Sequence, residues 1–255
     1  MTDALPAGSV IGILGGGQLG RMLSVAAARL GYRTHIFEPS ANPPAGHVAD
    51  HVTTAAWDDV DAIRAFAAAV DVVTYEFENV PTASLDAIEA LCPIRPNRRA
   101  LAISQDRVAE KTFLSGLGLA TAPWAEVTTR ADLDRAIATI GTPSILKTTR
   151  LGYDGKGQAR LRTASNGSAA LAAMNGAPAI LEGFVDFSRE ISVIAARGLD
   201  GAVAAYDPGE NVHDSGILST TTIPAAIPPA LRTDAVLIAA RILNALDYVG
   251  VLGVE

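Results

Sequence analysis

A short apolar run that ends in a glycine-rich turn is the feature that most constrains this chain. Ser9-Val10-Ile11-Gly12-Ile13-Leu14 leads directly into Gly15-Gly16-Gly17-Gln18-Leu19-Gly20. An apolar run of this length reads as a strand buried on both faces. Leu19, Met22, Leu23, Ala26, Ala27 and Leu30 then recur at helical spacing, and Gly31 ends the helix. The alternation continues with strands at 34–38 and 72–75 and helices at 62–70 and 84–91. Strands alternating with helices predict an α/β unit: a Rossmann-like parallel sheet with helices on both faces.

The pattern changes after Pro93-Ile94-Arg95-Pro96-Asn97-Arg98-Arg99, where proline and arginine cluster. A domain boundary is expected there, giving domains 1–100 and 101–255. The second domain opens with a helix over 104–116. Strands follow at 144–147, 179–182 and 190–195, then a helix at 229–246 and a strand at 248–255 in which the chain ends. A glycine-rich stretch, Gly152-Tyr153-Asp154-Gly155-Lys156-Gly157-Gln158, separates the first two of these strands.

Composition narrows the function classes. Twenty basic residues against 27 acidic ones give a formal charge of −7, which argues against a nucleic-acid partner. Hydrophobic residues at 49% and charged residues at 18% fit a globular chain with a real core. The single cysteine, Cys92, can form neither an internal disulfide nor a cysteine zinc site, and its Leu91-Cys92-Pro93 context reads as core. No apolar run reaches bilayer length and the N-terminus lacks a signal-peptide pattern, so a reducing cytoplasm and no membrane partner are expected. There is no His-x-x-x-His pair and no Gly-x-Ser-x-Gly elbow. His35, His47 and His51 read as strand or loop surface. His213 lies in a polar turn, 211–216, from which it could reach a ligand.

Three constellations could carry chemistry. In the first, Gly15-x-Gly17-x-x-Gly20 lets a backbone turn approach an anion at a helix N-terminus, and Glu38 ends the second strand where a dinucleotide site places its ribose-binding acid. The same glycines also suit a tight turn that binds nothing. In the second, Lys147 ends a strand just before three glycines in seven residues, whose N–H groups can wrap a phosphate chain, and Lys156 adds a second cation. No Gly-Lys-Ser/Thr element opens a helix, so this is not a Walker A loop. A plain hairpin with solvated lysines is the alternative. The third is the acid set Glu182, Glu190 and Glu255, each on or beside an apolar strand. An unpartnered carboxylate is costly there, and ribose hydroxyls or magnesium would partner it. Edge-strand charges facing water are the competing explanation.

Gly15-Gly16-Gly17-Gln18-Leu19-Gly20-Arg21-Met22-Leu23, Thr74-Tyr75-Glu76-Phe77-Glu78-Asn79-Val80 and Lys147-Thr148-Thr149-Arg150-Leu151-Gly152 through Gln158 together resemble the 5-(carboxyamino)imidazole ribonucleotide synthetase family of the ATP-grasp superfamily. The resemblance covers nearly the whole chain, from Val10 to Glu255. It implies a pre-ATP-grasp Rossmann-like domain followed by an α+β ATP-grasp domain. It also implies a reaction: ATP phosphorylates bicarbonate, and the carboxyphosphate passes its carboxyl group to the amine of 5-aminoimidazole ribonucleotide. Arg107 and Lys147 would contact ATP, and Gly152, Tyr153, Asp154, Gly155, Lys156, Gly157 and Gln158 would cover its phosphates. Tyr153, Asp154 and Lys156 would face the imidazole or carboxyphosphate as catalytic residues. Glu182, Gly183, Phe184 and Val185 would read the adenine edge, largely through backbone groups, Glu190 would hold the ribose hydroxyls, and His213 would lie near the phosphates. Glu255 would bind magnesium or manganese. Gly17, Gln18, Leu19 and Glu76 would bind the ribonucleotide, which leaves Glu38 no cofactor role. A cytoplasmic homodimer is implied. Members of this family continue past the position of Glu255, with a second metal-binding Glu preceded by Asn, a basic substrate-gripping region and a small last domain, so the ATP-grasp domain is expected to be incomplete here. An NAD-dependent oxidoreductase and a nucleotide-binding remnant without turnover are the alternatives.

Overall fold

The glycine-rich turn lies at the end of the central strand of a parallel sheet, and the rest of the first unit is built around it. The computed structural model describes residues 4–152, 156–214 and 216–255. The first elements are β1 (Val10–Leu14), α1 (Gln18–Arg29), β2 (Arg33–Phe37), β3 (His51–Thr53), α2 (Val60–Ala68), β4 (Val72–Tyr75), α3 (Thr82–Glu89) and α4 (Arg98–Ser104). Then come α5 (Arg107–Gly116), β5 (Trp124–Val127), α6 (Arg130–Ile140), β6 (Ser144–Thr148), β7 (Gln158–Leu161), α7 (Gly167–Ala173) and β8 (Ala179–Gly183). The last are β9 (Glu190–Arg197), β10 (Val203–Ala205), β11 (Gly209–Asp214), β12 (Ile217–Thr222), α8 (Pro229–Ala245) and β13 (Gly250–Val254). Two compact units divide them. One holds residues up to Ala102 with Arg197–Ala202 and Leu246–Val251; the other holds Ile103–Ala196, Val203–Ala245 and Leu252–Glu255.

In the first unit the strand order is β3-β2-β1-β4, and every pairing is parallel. Alternate strand residues face opposite sides of such a sheet. Leu14, Phe37 and Val73 therefore join Ile63 and Phe66 of α2 and Leu85 and Ile88 of α3 in one almost inaccessible core. Each large side chain buried there contributes roughly 1.5–3 kcal/mol. Phe37 and Phe66 meet edge to face with ring centres 5.5 Å apart. Ile13 and Ile36 point to the other face and pack with Ala45. On that side α1 buries only small residues, Gly20, Ser24 and Ala27. Leu19, Met22, Leu23 and Leu30 remain exposed. An apolar cleft of about 510 Å³ lies beside them, lined by Ile11, Ile13, Leu23, Ala27, Leu30 and Val72 among others.

The second unit contains two sheets, in which the β5–β8, β8–β6, β6–β7, β9–β11 and β11–β12 pairings are antiparallel. The first has the order β5-β8-β6-β7. Val127, Leu146, Leu161, Ala179 and Leu181 pack against Leu133 and Ala136 of α6 and Ala170 of α7. Thr129 caps α6 in a capping box with Asp132. The second array runs β10-β9-β11-β12, with β13 also paired to β9.

Several sequence expectations need correction. The helix expected over 104–116 starts three residues later, at Arg107, because Asp106 leaves the helical region and its carboxylate accepts the Val108 and Ala109 N–H groups as the N-cap of α5; the separate helix α4 before it was not expected. His35 is not a surface residue. It is buried in β2, with Nε2 2.8 Å from Thr53 Oγ1 and its ring against Phe66, and burial lowers its pKa. His213 lies on β11 and not in a turn, with a register shift at Val212/His213 where β11 pairs with β12. Cys92 is buried as expected. No helix among the described residues is long and apolar enough to cross a membrane.

Candidate nucleotide-binding site

The register of β6 and β8 creates the centre of the site. Ile145 stands opposite Glu182 and Lys147 opposite Ile180, so Lys147 and Glu182 are diagonal neighbours on one face. Leu146 and Leu181 carry the hydrophobic core on the reverse face. Lys147 Nζ donates to Glu182 Oε2 at 2.8 Å. Lys147 is therefore not the solvated lysine of a plain hairpin, although β6 and β7 do form a hairpin around the glycine-rich stretch.

Helix α5 closes this face. Arg107 and Lys111 are four residues apart and so lie on the same side of the helix. The Arg107 backbone N–H donates to Thr149 O at 2.9 Å. Its guanidinium donates to Thr148 O and Gly152 O, both at 3.2 Å. Lys111 Nζ lies 3.4 Å from Glu182 Oε1, so two lysines hold the two oxygens of one carboxylate. The side chains are largely enclosed: Glu182 is 10% exposed, Lys111 13% and Lys147 22%. Burial alone would raise the Glu182 pKa. The hydrogen bond and charge of Lys147, with the charge of Lys111, outweigh it and lower the pKa. Glu110 is raised instead, because burial exceeds the help it receives from Arg107, Lys111 and Lys147. Sequence reasoning found Arg107, Lys147 and Glu182 but missed Lys111 and Glu110. The helical spacing of Arg107, Glu110 and Lys111 was the available signal.

The glycines that flank the loop are needed for close approach. A Cβ on Gly157, where φ is +68°, would lie 2.6 Å from Thr148 Oγ1, and one on Gly152 would lie 3.2 Å from Arg107 Nη2. Gln158 begins β7, and Lys156 is exposed just before it. Tyr153, Asp154 and Gly155 lie outside the described residues.

Past Glu182, the Gly183 N–H donates to Pro123 O and the Phe184 N–H to Pro143 O. Those two donors are thus committed within the fold, and the hinge first offers a partner at the exposed Val185. Arg160 lies over the Phe184 ring, 4.2 Å from its centre. Glu190 opens β9 opposite Asn211 of β11, which places His213 two residues along the same strand. His213 Nδ1 is 2.9 Å from Glu190 Oε2 in a partly exposed pair. Glu255 is exposed, one residue beyond β13. Among the described residues no group of three His, Cys, Asp or Glu side chains is placed to hold a metal ion.

In the first unit the glycine-rich turn is served by two acids. Glu38 Oε2 accepts the Gly16 N–H at 2.9 Å, and Oε1 accepts the Ser40 N–H at 3.0 Å. Glu76 Oε1 accepts the Gly17 N–H at 2.7 Å. Burial raises the Glu76 pKa, the Gly17 hydrogen bond opposes this, and the Glu38 charge adds to the rise. Glu38, the acid a dinucleotide site would use on ribose, is here turned back onto the turn. Gly15 takes φ +106°, and a Cβ on Gly20 would lie 2.8 Å from Gly15 O, so the third glycine seats α1 against the turn. Gln18 and Leu19 are exposed at the start of α1.

Residues 9–105 match the ribonucleotide synthetase preATP-grasp domain and residues 112–255 match the ATP-grasp domain. N5-carboxyaminoimidazole ribonucleotide synthase of Brucella melitensis biotype 1 is 54% identical over 254 residues, covering 99% of this chain and 70% of the relative. A crystal structure of the ADP complex of an N5-carboxyaminoimidazole ribonucleotide synthetase superimposes with a TM-score of 0.94 at 39% identity, covering 99% of this chain and 67% of that one. The Aspergillus clavatus N5-carboxyaminoimidazole synthase in complex with ADP and 5-aminoimidazole ribonucleotide gives 0.88 at 29% identity, covering 97% and 65%. One matched domain spans more than half the chain; Lys147, Glu182, Glu190 and His213 fall within it, whereas Arg107, Glu110 and Lys111 lie just before it. The chain belongs to the N5-carboxyaminoimidazole ribonucleotide synthase family of ATP-grasp ligases.

Proposed function

We propose that this chain carries out the carboxylation its relatives are named for, with ATP, bicarbonate and 5-aminoimidazole ribonucleotide as substrates. A bicarbonate oxygen attacks the γ-phosphorus and ADP leaves. The exocyclic amine of the ribonucleotide then attacks the carboxyphosphate carbon, the carbon–oxygen bond to phosphate breaks, and the amine loses a proton. The products are N5-carboxyaminoimidazole ribonucleotide, ADP and phosphate. Phosphoryl transfer needs charge neutralisation and alignment more than covalent help. The observation that carries the reading is the enclosed cluster of Lys147, Lys111 and Glu182 beside the glycine-rich loop, where two cations share one carboxylate.

In this reading Arg107 and Lys147 hold the phosphates, and 152–158 cover them. Glu182 accepts from the adenine amino group, the Gly183-Phe184-Val185 hinge borders the base, and Glu190 accepts from the ribose hydroxyls. His213 orients Glu190 from 2.9 Å. Tyr153, Asp154 and Lys156 face the reacting carboxyl group. Gly17, Gln18, Leu19 and Glu76 bind the ribonucleotide at the N-terminus of α1, where N–H groups favour a phosphate. Magnesium, when bound, would neutralise phosphate charge, with Glu255 and the nucleotide's own oxygens as ligands. We also propose a domain division at 100/101, a homodimer and a cytoplasmic setting, with which the buried thiol of Cys92 is consistent.

The test is ADP release from magnesium-ATP and labelled bicarbonate, with and without 5-aminoimidazole ribonucleotide. Release stimulated by the ribonucleotide, with label in the product, supports the assignment. ADP release that ignores the ribonucleotide, or label that stays in bicarbonate, refutes it.

A further inference from the structure

Lys111 makes a contact that the proposed reaction does not use. It approaches Glu182 from α5 while Lys147 approaches from β6, and each lysine takes a different oxygen. The two are not equivalent. Lys147 is the more exposed and stands directly before the glycine-rich stretch. Lys111 is the more enclosed, and its helix is tied down four residues earlier by three Arg107 hydrogen bonds to Thr148, Thr149 and Gly152 carbonyls. One lysine is therefore placed to leave the carboxylate, and the other is placed to stay.

We propose that Lys111 is a positioning residue that keeps Glu182 ionised and fixed when Lys147 moves to the phosphates, and so sets selectivity for an adenine over a 6-oxopurine nucleotide. The inference rests on the reading that Glu182 meets the purine edge. A buried carboxylate that loses its only cation takes up a proton or disfavours the departure of that cation. An ionised Glu182 only accepts hydrogen bonds, which suits the 6-amino group of ATP and opposes the 6-oxo group of ITP. A protonated Glu182 can donate to a 6-oxo group, so the preference would fade. Among the described residues, Lys147 and Glu110 are the other charged groups that act on this carboxylate, and Arg107 acts on Glu110. None of them replaces a cation that stays on Glu182 Oε1.

The experiment is calorimetric titration of the 255-residue chain and its Lys111→Met, Lys111→Gln and Lys111→Arg variants with ATP and with ITP. The wild type should prefer ATP by about tenfold or more. Lys111→Met should weaken ATP by about tenfold while ITP changes little, which brings the two ligands together. Lys111→Arg should restore the preference. Lys111→Gln, neutral but still a donor, decides the matter if the Met variant does not fold. An unchanged ATP-to-ITP ratio, equal loss of both ligands, or no rescue by Arg overturns the proposal. A wild-type chain that binds neither nucleotide overturns the underlying site assignment and this inference with it. A wild type that binds both equally overturns only the role of Glu182 and Lys111.

Discussion

Replacing Lys147 with Met removes the closer of the two cations on Glu182 and tests the electrostatics of the site directly. Unit charges at 2.8 and 3.4 Å attract by about 6 and about 5 kcal/mol at an effective dielectric of about 20. The first attraction is lost, but the cost of keeping an ammonium partly out of water goes with it, and that cost is itself several kcal/mol. Orphaning a buried charge destabilises by about 3–5 kcal/mol. Glu182 is not orphaned, because Lys111 stays. We expect a net loss of about 1–2 kcal/mol, or about 2–8 °C in the melting temperature of a chain this size. The pH dependence is more diagnostic than the loss. The folded pKa of Glu182 is lowered from 4.5, so its ionisation adds stability above pH 4.5 that disappears as pH falls through the folded value. In the variant burial regains ground and the pKa rises. The gap between wild type and variant should therefore be widest near neutral pH and should close in acid. Thermal unfolding followed by circular dichroism between pH 3.5 and about 7 reads it. A gap that is constant over that range, or a variant as stable as the wild type at neutral pH, would show that the pair does not act as argued.

Three further outcomes follow from other parts of the chain. Gly20→Ala places a methyl 2.8 Å from Gly15 O and should cost about 1–3 kcal/mol in urea unfolding, whereas a neutral result would mean the turn is not closely seated. Glu76 has a raised pKa, so its ionisation opposes folding as pH rises from 4.5 through the folded value. Glu76→Gln keeps an acceptor for the Gly17 N–H without the charge, and its stability relative to wild type should improve from pH 4 to about 7 while ribonucleotide-stimulated ADP release falls. Cys92 is buried and its thiol pKa is raised by burial and then by the charge of Asp71, so a thiol reagent at mildly alkaline pH should label it only after denaturation.

Much of the first unit was legible because its strands are short, apolar and separated by glycine or proline. Val72–Tyr75 was read with its observed bounds, and 229–246 differs from α8 by one residue. The two glycine-rich segments were visible for the same reason, since glycine at those points reflects backbone demand. What stayed hidden depends on pairing. β11 carries Gly209, Glu210, Asn211 and His213 with no apolar alternation, and only its ladders to β9 and β12 make it a strand. The apolar repeat on α1 identified the helix but not its packing face: Leu19, Met22, Leu23 and Leu30 are exposed and the small residues do the packing. Lys111 was not singled out, because nothing in the sequence marks it as a partner of a strand carboxylate. Only the β6–β8 register brings Glu182 beneath it.

The most direct test of the account is the crystal structure of this chain with ATP and 5-aminoimidazole ribonucleotide bound. The account predicts adenine against Glu182 and Val185, ribose on Glu190, and Lys147 moved onto a phosphate while Lys111 remains on Glu182. It places the ribonucleotide phosphate at the Gly15–Gly20 turn with Glu76 beside it. ATP seated on that turn with Glu38 on its ribose, and Lys147 still paired to Glu182, would contradict it.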